Sequence, residues 1–319
     1  MMRSVMPVSI PTHACKPRSR ATRAFRPRAA LALCGCLVIH FAANVLPCAG
    51  AEALSADPQH VKAELIADAA SIAPGATFQL AVRLVMEDGW HVNWLNPGDA
   101  GLAPGIAWKL PEGFRHGLVV WPFPARFNSG PLVIFGYGEE VILAAECRAP
   151  ESLTPGDEVE LSADISWLAC EEACVPGSAV ATLRLPVEAA ARPDSGNARR
   201  IESARRSGPS PSGLWNVEAR LEDDTRLVLD LQTAAESTPP LDGLFFFPYD
   251  QGIIENGSAQ VSSVSAGPAG RVAYQLHIEL ARMSTGSPAR LTGVLVSSRG
   301  WTDGGAPGAI EIDIPVHSR

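Results

Sequence analysis

The sequence predicts an all-β protein, two antiparallel sandwiches in tandem behind an amino-terminal leader, and three observations carry that prediction. Val159, Leu161, Ala163, Ile165 and Trp167 alternate with Glu158, Glu160, Ser162, Asp164 and Ser166, a period of two that belongs to a half-buried strand. No long stretch with apolar residues at helical spacing competes with it. Similar short runs recur along the chain, and its 28 glycines and 27 prolines punctuate them, as sheets joined by tight turns require.

The opening residues read differently from the rest. Arg18, Arg20, Arg23, Arg26 and Arg28 precede the apolar run AALALCGCLVIHFAANVLP, and the small residues of CAGAEA follow it. This is the layout of a signal peptide, residues 1–51, cut near Ala51 on export. Two alternatives use the same residues. A retained membrane anchor would need roughly 20 apolar residues, and His40, Asn44 and Pro47 interrupt the run; a lipoprotein would be acylated at Cys36 or Cys48. Loss of residues 1–51 removes Lys16 and six arginines but no acid, so the formal charge moves from −8 to −15. A field of that sign repels nucleic acid and anionic lipid, which excludes nucleic-acid binding and leaves proteins or small molecules as partners. Cys15, Cys34, Cys36 and Cys48 leave with the leader. Cys147, Cys170 and Cys174 remain, in a compartment where disulfides persist.

Residues 52–187 read as the first sandwich. Phe78, Leu80, Val82 and Leu84 alternate near its start and the Val159–Trp167 run lies near its end. Between Gly89 and Gly138 the pattern loosens into a stretch rich in Trp, Pro and Gly, read as long ordered loops of the kind that carry binding residues on a rigid scaffold. Residues 188–213, EAAARPDSGNARRIESARRSGPSPSG, are poor in large apolar side chains and read as a linker with one short helix. Residues 214–319 read as the second sandwich, from three runs: Leu227, Leu229 and Leu231; Val272, Tyr274, Leu276, Ile278 and Leu280; and Ile310, Ile312 and Ile314. The number of short strands makes each half immunoglobulin-like.

The stretch SWLACEEACVPG places Cys170 and Cys174 four residues apart at the end of a strand. A disulfide there closes a short loop and constrains little of the unfolded chain, so it is easier to justify as redox chemistry than as reinforcement. A plain structural cross-link is the competing reading. Zinc would need two more ligands, and the mature chain has no second Cys pair and no close His pair; no metal or other cofactor is expected. Glu171 and Glu172 disfavour the thiolate, which suits a selective relay rather than a broad oxidant. Cys147 reads as a buried inert thiol. His91, beside Trp90 in GWHVNW, reads as a histidine whose hydrogen bonds order an aromatic cluster. Two rival functions use the same residues: Cu(I) handling by Cys170 and Cys174 with help from Met86 or His91, and a non-catalytic docking adaptor with a closed disulfide.

Three segments, EDGWHVNWLNPGDAGLAPGIAWKLPEGF, WPFPARFNSGPLVIFGYGEEVILAAE and SWLACEEACVPGSAVATLRLPV, resemble the amino-terminal periplasmic domain of the thiol:disulfide interchange protein DsbD, most closely its ScsB-like branch. The similarity runs from about residue 60 to 187, and LFFFPYDQGIIEN and LTGVLVSS resemble the second β-domain of ScsB-like proteins. The resemblance implies an immunoglobulin-like fold in the periplasm whose cysteine pair, matched by Cys170 and Cys174, works as a protein-disulfide reductase-type relay. Such a relay takes electrons from a membrane-embedded thiol carrier of DsbD/CcdA type and passes them to periplasmic thioredoxin-like proteins, as in cytochrome c biogenesis. It also implies an aromatic cap loop over the sulfurs. IFGYGEE occupies the matching stretch, so Phe135 and Tyr137 are expected to shield the pair, with Trp90, His91, Glu171 and Glu172 in support. The membrane and thioredoxin domains of full-length relatives have no counterpart in these 319 residues.

Overall fold

The computed structural model describes residues 60–213, 215–233, 240–266, 272–282, 288–301 and 308–317; the expected leader, residues 1–51, lies outside them. Strands β1 (Val61–Ala67), β2 (Ala69–Ser71), β3 (Thr77–Met86), β4 (His91–Gly98), β5 (Gly105–Lys109), β6 (Arg115–Val120), β7 (Ala125–Ser129), β8 (Leu132–Gly138), β9 (Glu140–Arg148), β10 (Glu158–Cys170) and β11 (Cys174–Pro186) come first. β12 (Arg192–Pro193) and the helix α1 (Ser195–Arg206) follow. β13 (Trp215–Asp223), β14 (Arg226–Thr233), β15 (Phe245–Pro248), β16 (Val261–Ala266), β17 (Val272–Glu279), β18 (Arg290–Ser297) and β19 (Gly308–His317) complete the chain.

Ten of the first eleven strands build a sandwich, and β2 pairs apart from it with β12. One sheet has the order β1-β3-β9-β6, the other β11-β10-β4-β8-β7 with β5 also paired to β10. Leu80, Val82, Leu84 and Leu143 from the first sheet and Val92, Leu161 and Ile165 from the second belong to one buried cluster. Each such side chain contributes about 2 kcal/mol by leaving water. The later strands form a seven-stranded sheet, β15-β18-β19-β13-β14-β17-β16, antiparallel except where Ala219 and Arg220 meet Val316 and His317 in parallel. The all-β, immunoglobulin-like expectation holds.

The alternating runs of the sequence are strands where they were expected. The stretch from Gly89 to Gly138 is the difference: it contains β4 to β8 rather than long loops. The cause is visible in β4, where every residue but Leu95 is buried. A strand covered on both faces has no polar face to alternate with, so period two vanishes from its sequence.

Within residues 188–213, α1 starts at Asp194, whose Oδ1 accepts from the backbone N–H groups of Gly196 and Asn197, the bond an N-cap supplies. Its one buried residue, Ile201, packs with Ile66, Ala81, Ile142 and Ala144 of the first sheet. The segment therefore lies along the first sandwich. Beyond it, contacts between the early and late strands are made by β4, β7 and β8 and the residue after β4. Asn96 Nδ2 donates to the carbonyls of Pro248 at 2.8 Å and Asp250 at 3.1 Å, and Asn256 Nδ2 donates to Asp99 Oδ1 at 2.8 Å. Phe135 meets Phe247 edge to face at 4.9 Å, Trp94 meets Tyr249 at 5.6 Å, and the Arg126 guanidinium sits 4.7 Å over the Phe245 ring.

Candidate redox site

The site grows from the tip of the longest hairpin. β10 and β11 pair in unbroken register from Glu158 opposite Pro186 to Cys170 opposite Cys174. Glu171, Glu172 and Ala173 make the turn, closed by Glu171 N–H donating to the Ala173 carbonyl at 3.3 Å. The last rung is thus two directly opposed cysteines with Cα atoms 4.1 Å apart, joined by a disulfide. The two are not equivalent. Cys170 is 3% exposed, whereas Cys174, on the outer strand, is exposed.

On its other side β10 pairs with β4, Cys170 opposite His91, and β4 pairs with β8, His91 opposite Gly138. Side chains of directly opposed residues leave a sheet on the same face. Cys174, Cys170, His91 and Gly138 therefore form one row. The Phe127 ring lies parallel to the His91 ring, 4.8 Å away and 6° from coplanar, and comes up against Gly138. Two residues before Gly138, Gly136 lets β8 approach closely: a Cβ there would stand 2.3 Å from the Val92 carbonyl oxygen. His91 is 4% exposed, its Nε2 has no hydrogen-bond partner, and burial holds its pKa below the usual histidine value.

Trp90 lies outside the row, stacked on His60 at 3.6 Å. Glu171 and Glu172 are exposed, and the Glu171 carboxylate lies over Gly89, whose φ of 82° suits glycine. Phe135 and Tyr137 are placed differently from the cap that the resemblance implied. Tyr137 is opposite Val92, one residue out of phase with the cysteine row, so its ring enters the core and its hydroxyl donates to the Pro122 carbonyl at 2.6 Å. Phe135 is fully buried against Phe247. The rings on the cysteine face are His91, within the row, and Phe127, stacked on it. Phe127 was not singled out in the sequence; the signal was the NSG turn at residues 128–130, which pairs ARFNS with LVIFG and sets Phe127 opposite Ile134.

Cys147 is fully buried on β9, opposite Phe78, and burial pushes its thiol up to about 11. Met86 is buried in the core. Among the described residues no group of three or more His, Cys, Asp or Glu side chains could hold a metal ion, and no helix is long and apolar enough to cross a membrane.

Replacing Phe127 by Ala should release the His91 ring and speed alkylation of reduced Cys170 by about tenfold, since thiol reactivity follows access. Alkylation rates of parent and variant, compared with folding checked by circular dichroism, test this. Equal rates would remove Phe127 from the control of access.

The family described as thiol:disulfide interchange protein DsbD, N-terminal, matches residues 59–186. The amino-terminal periplasmic domain of ScsB from Proteus mirabilis shares the fold, at 18% identity and a TM-score of 0.53, over 82% of this chain and 95% of that one. BcpA, the major pilin subunit of Bacillus cereus, aligns at 8% identity over 81% of this chain and 69% of its own, with a TM-score of 0.27. The major pilin SpaD of Corynebacterium diphtheriae aligns at 9% identity, over 81% and 64%, with a TM-score of 0.26. No curated protein matches the chain by sequence.

Proposed function

Since residues 59–186 are a DsbD-like amino-terminal domain, we propose that the chain is a periplasmic thiol-disulfide interchange protein working through Cys170 and Cys174. It receives electrons from a membrane-embedded thiol carrier and delivers them to thioredoxin-like proteins. The observation that supports this most is the asymmetric pair at the hairpin tip, one cysteine exposed and the other buried. A partner's thiolate reaches Cys174 Sγ, a new disulfide joins the proteins, and the electron pair of the broken bond goes to Cys170 Sγ. In the other direction reduced Cys174 attacks a partner's disulfide and Cys170 resolves the mixed disulfide. We further propose that residues 214–319 are a second sandwich domain that supports the site strands β4 and β8.

A relay needs a bond that opens without disturbing its scaffold. With a sequence separation of 4, the disulfide contributes about 2 kcal/mol on chain-entropy grounds, a small part of what the buried cluster supplies. Reduction is therefore expected to lower the melting temperature by only a few degrees and leave the far-ultraviolet circular dichroism unchanged. Thiol trapping across glutathione and dithiothreitol buffers should show the pair cycling. A pair that stays closed at every poise, or a chain that unfolds on reduction, would sink the relay reading in favour of a structural cross-link.

A further inference from the structure

Opening the disulfide creates a charge where little can stabilise it. Cys170 is 3% exposed, and a thiolate removed from water is strongly disfavoured unless a donor meets it. The sequence between Asp157 and Leu183 holds no lysine or arginine, and Glu171 and Glu172 follow directly. These acids act against the thiolate.

His91 stands where a donor is needed. It is the direct cross-strand partner of Cys170, a position at which paired Cβ atoms lie about 5 Å apart. Its Nε2 is buried with no partner, and a polar atom orphaned inside a fold calls for a reason. Stacking on Phe127 fixes the ring plane, and burial keeps the imidazole neutral, with a single N–H.

We propose that His91 is the hydrogen-bond donor to the Cys170 sulfur, its Nε2–H idle while the disulfide is closed and engaged by the thiolate when it opens. This rests on the dithiol/disulfide reading above. When a protein thiolate attacks Cys174 Sγ, the Cys170–Cys174 bond breaks and its electron pair moves to Cys170 Sγ. His91 donates to that sulfur and keeps its own proton. The charge is held until Cys170 returns to attack Cys174 Sγ and expels the partner, or until the partner's second thiolate displaces Cys174. In the second case the partner leaves with the disulfide, and both cysteines take protons from solvent. The charged groups nearest the row along the chain are Glu87 and Asp88 before β4, Glu139 after β8, and Glu171 and Glu172 in the turn, all acidic; farther along the sheet, Arg184 on β11 pairs with Glu160 and Lys109 on β5 pairs with Asp164. Arg126 on β7 is opposite Phe135 and lies over Phe245 instead. His91 is thus a positioning residue for the leaving sulfur.

The test uses the full chain with Cys174 and the leader cysteines Cys15, Cys34, Cys36 and Cys48 changed to Ser, titrating the Cys170 thiolate by its ultraviolet absorbance; Cys147, pushed to about 11, ionises outside the range read. His91→Phe preserves the stack and removes the donor. It should raise the Cys170 midpoint by about one pH unit, a roughly tenfold loss of thiolate below the midpoint. His91→Gln, which keeps an N–H, should fall between the two, and an unmoved midpoint in His91→Phe overturns the proposal. Should His91→Phe fail to fold, nitrogen NMR of the imidazole in the unsubstituted chain decides. Nε2 should carry the proton and its resonance should shift on reduction; an unprotonated or unmoved Nε2 overturns the proposal. A pair that failed to cycle in redox buffers would remove the relay reading without altering the Cys170 titration, so the two failures are distinguishable.

Discussion

Cys170→Ser should accumulate a covalent adduct with a partner in cell envelopes, and Cys174→Ser should not. The asymmetry follows from burial: exchange requires a sulfur that another protein can reach, and Cys174 is exposed while Cys170 is 3% exposed. In Cys170→Ser the exposed thiol still attacks a partner disulfide, and the residue that would resolve the product is gone. In Cys174→Ser the remaining thiol is walled in beside His91. We expect the adduct yields to differ by about tenfold or more, in line with the dependence of exchange on access. Cys147 does not confuse the comparison, because it is fully buried and its thiol is pushed to about 11. Non-reducing gels and mass spectrometry of the trapped species provide the check. Equal yields from both variants would mean that the burial difference does not set the order of attack.

Phe247→Ala should be the most destabilising single change away from the cysteines. Phe247 is 4% exposed and meets Phe135 at 4.9 Å, Phe245 at 4.5 Å and Trp94 at 6.2 Å. Truncating a buried phenylalanine costs about 3–5 kcal/mol, which for a chain of this size lowers the melting temperature by about 10 °C. Phe135 and Trp94 belong to β8 and β4, so the loss should also loosen the strands that flank Cys170. Faster alkylation of reduced Cys170 in Phe247→Ala, at temperatures where the variant remains folded, is the expected sign. A melting temperature within roughly 2 °C of the parent, the effect of an ordinary surface substitution, would show that the aromatic contact is not a support.

Much of this was legible in the sequence, and the exceptions share a cause. β3, β10, β14 and β17 read clearly because their apolar and smaller or polar residues alternate, and the cysteine pair was placed at a strand end. β4 did not, since burial on both faces erased its alternation. Phe135 and Tyr137 were expected to shield the pair, but which face they occupy depends on β4–β8 register, and a shift of one residue exchanges the faces. The pairing of His91 with Cys170 lay beyond reach for the same reason: it depends on which strands are neighbours. The grip of Asn96 on Pro248 and Asp250 joins residues more than 150 apart, a distance over which no local pattern speaks.

The placement of the disulfide on the last rung of the β10–β11 ladder has a consequence for direction. Twelve paired rungs lie behind it, so breaking the bond is expected to remove none of them and to leave the outline of the molecule nearly unchanged. A ligand that binds two states equally shifts neither. If the chain is the relay proposed above, docking alone would then give a partner no means of favouring its reduced form over its oxidised one. Net flow would be set by the reduction potentials and abundances of the proteins on either side, with traffic reversing whenever those are reversed.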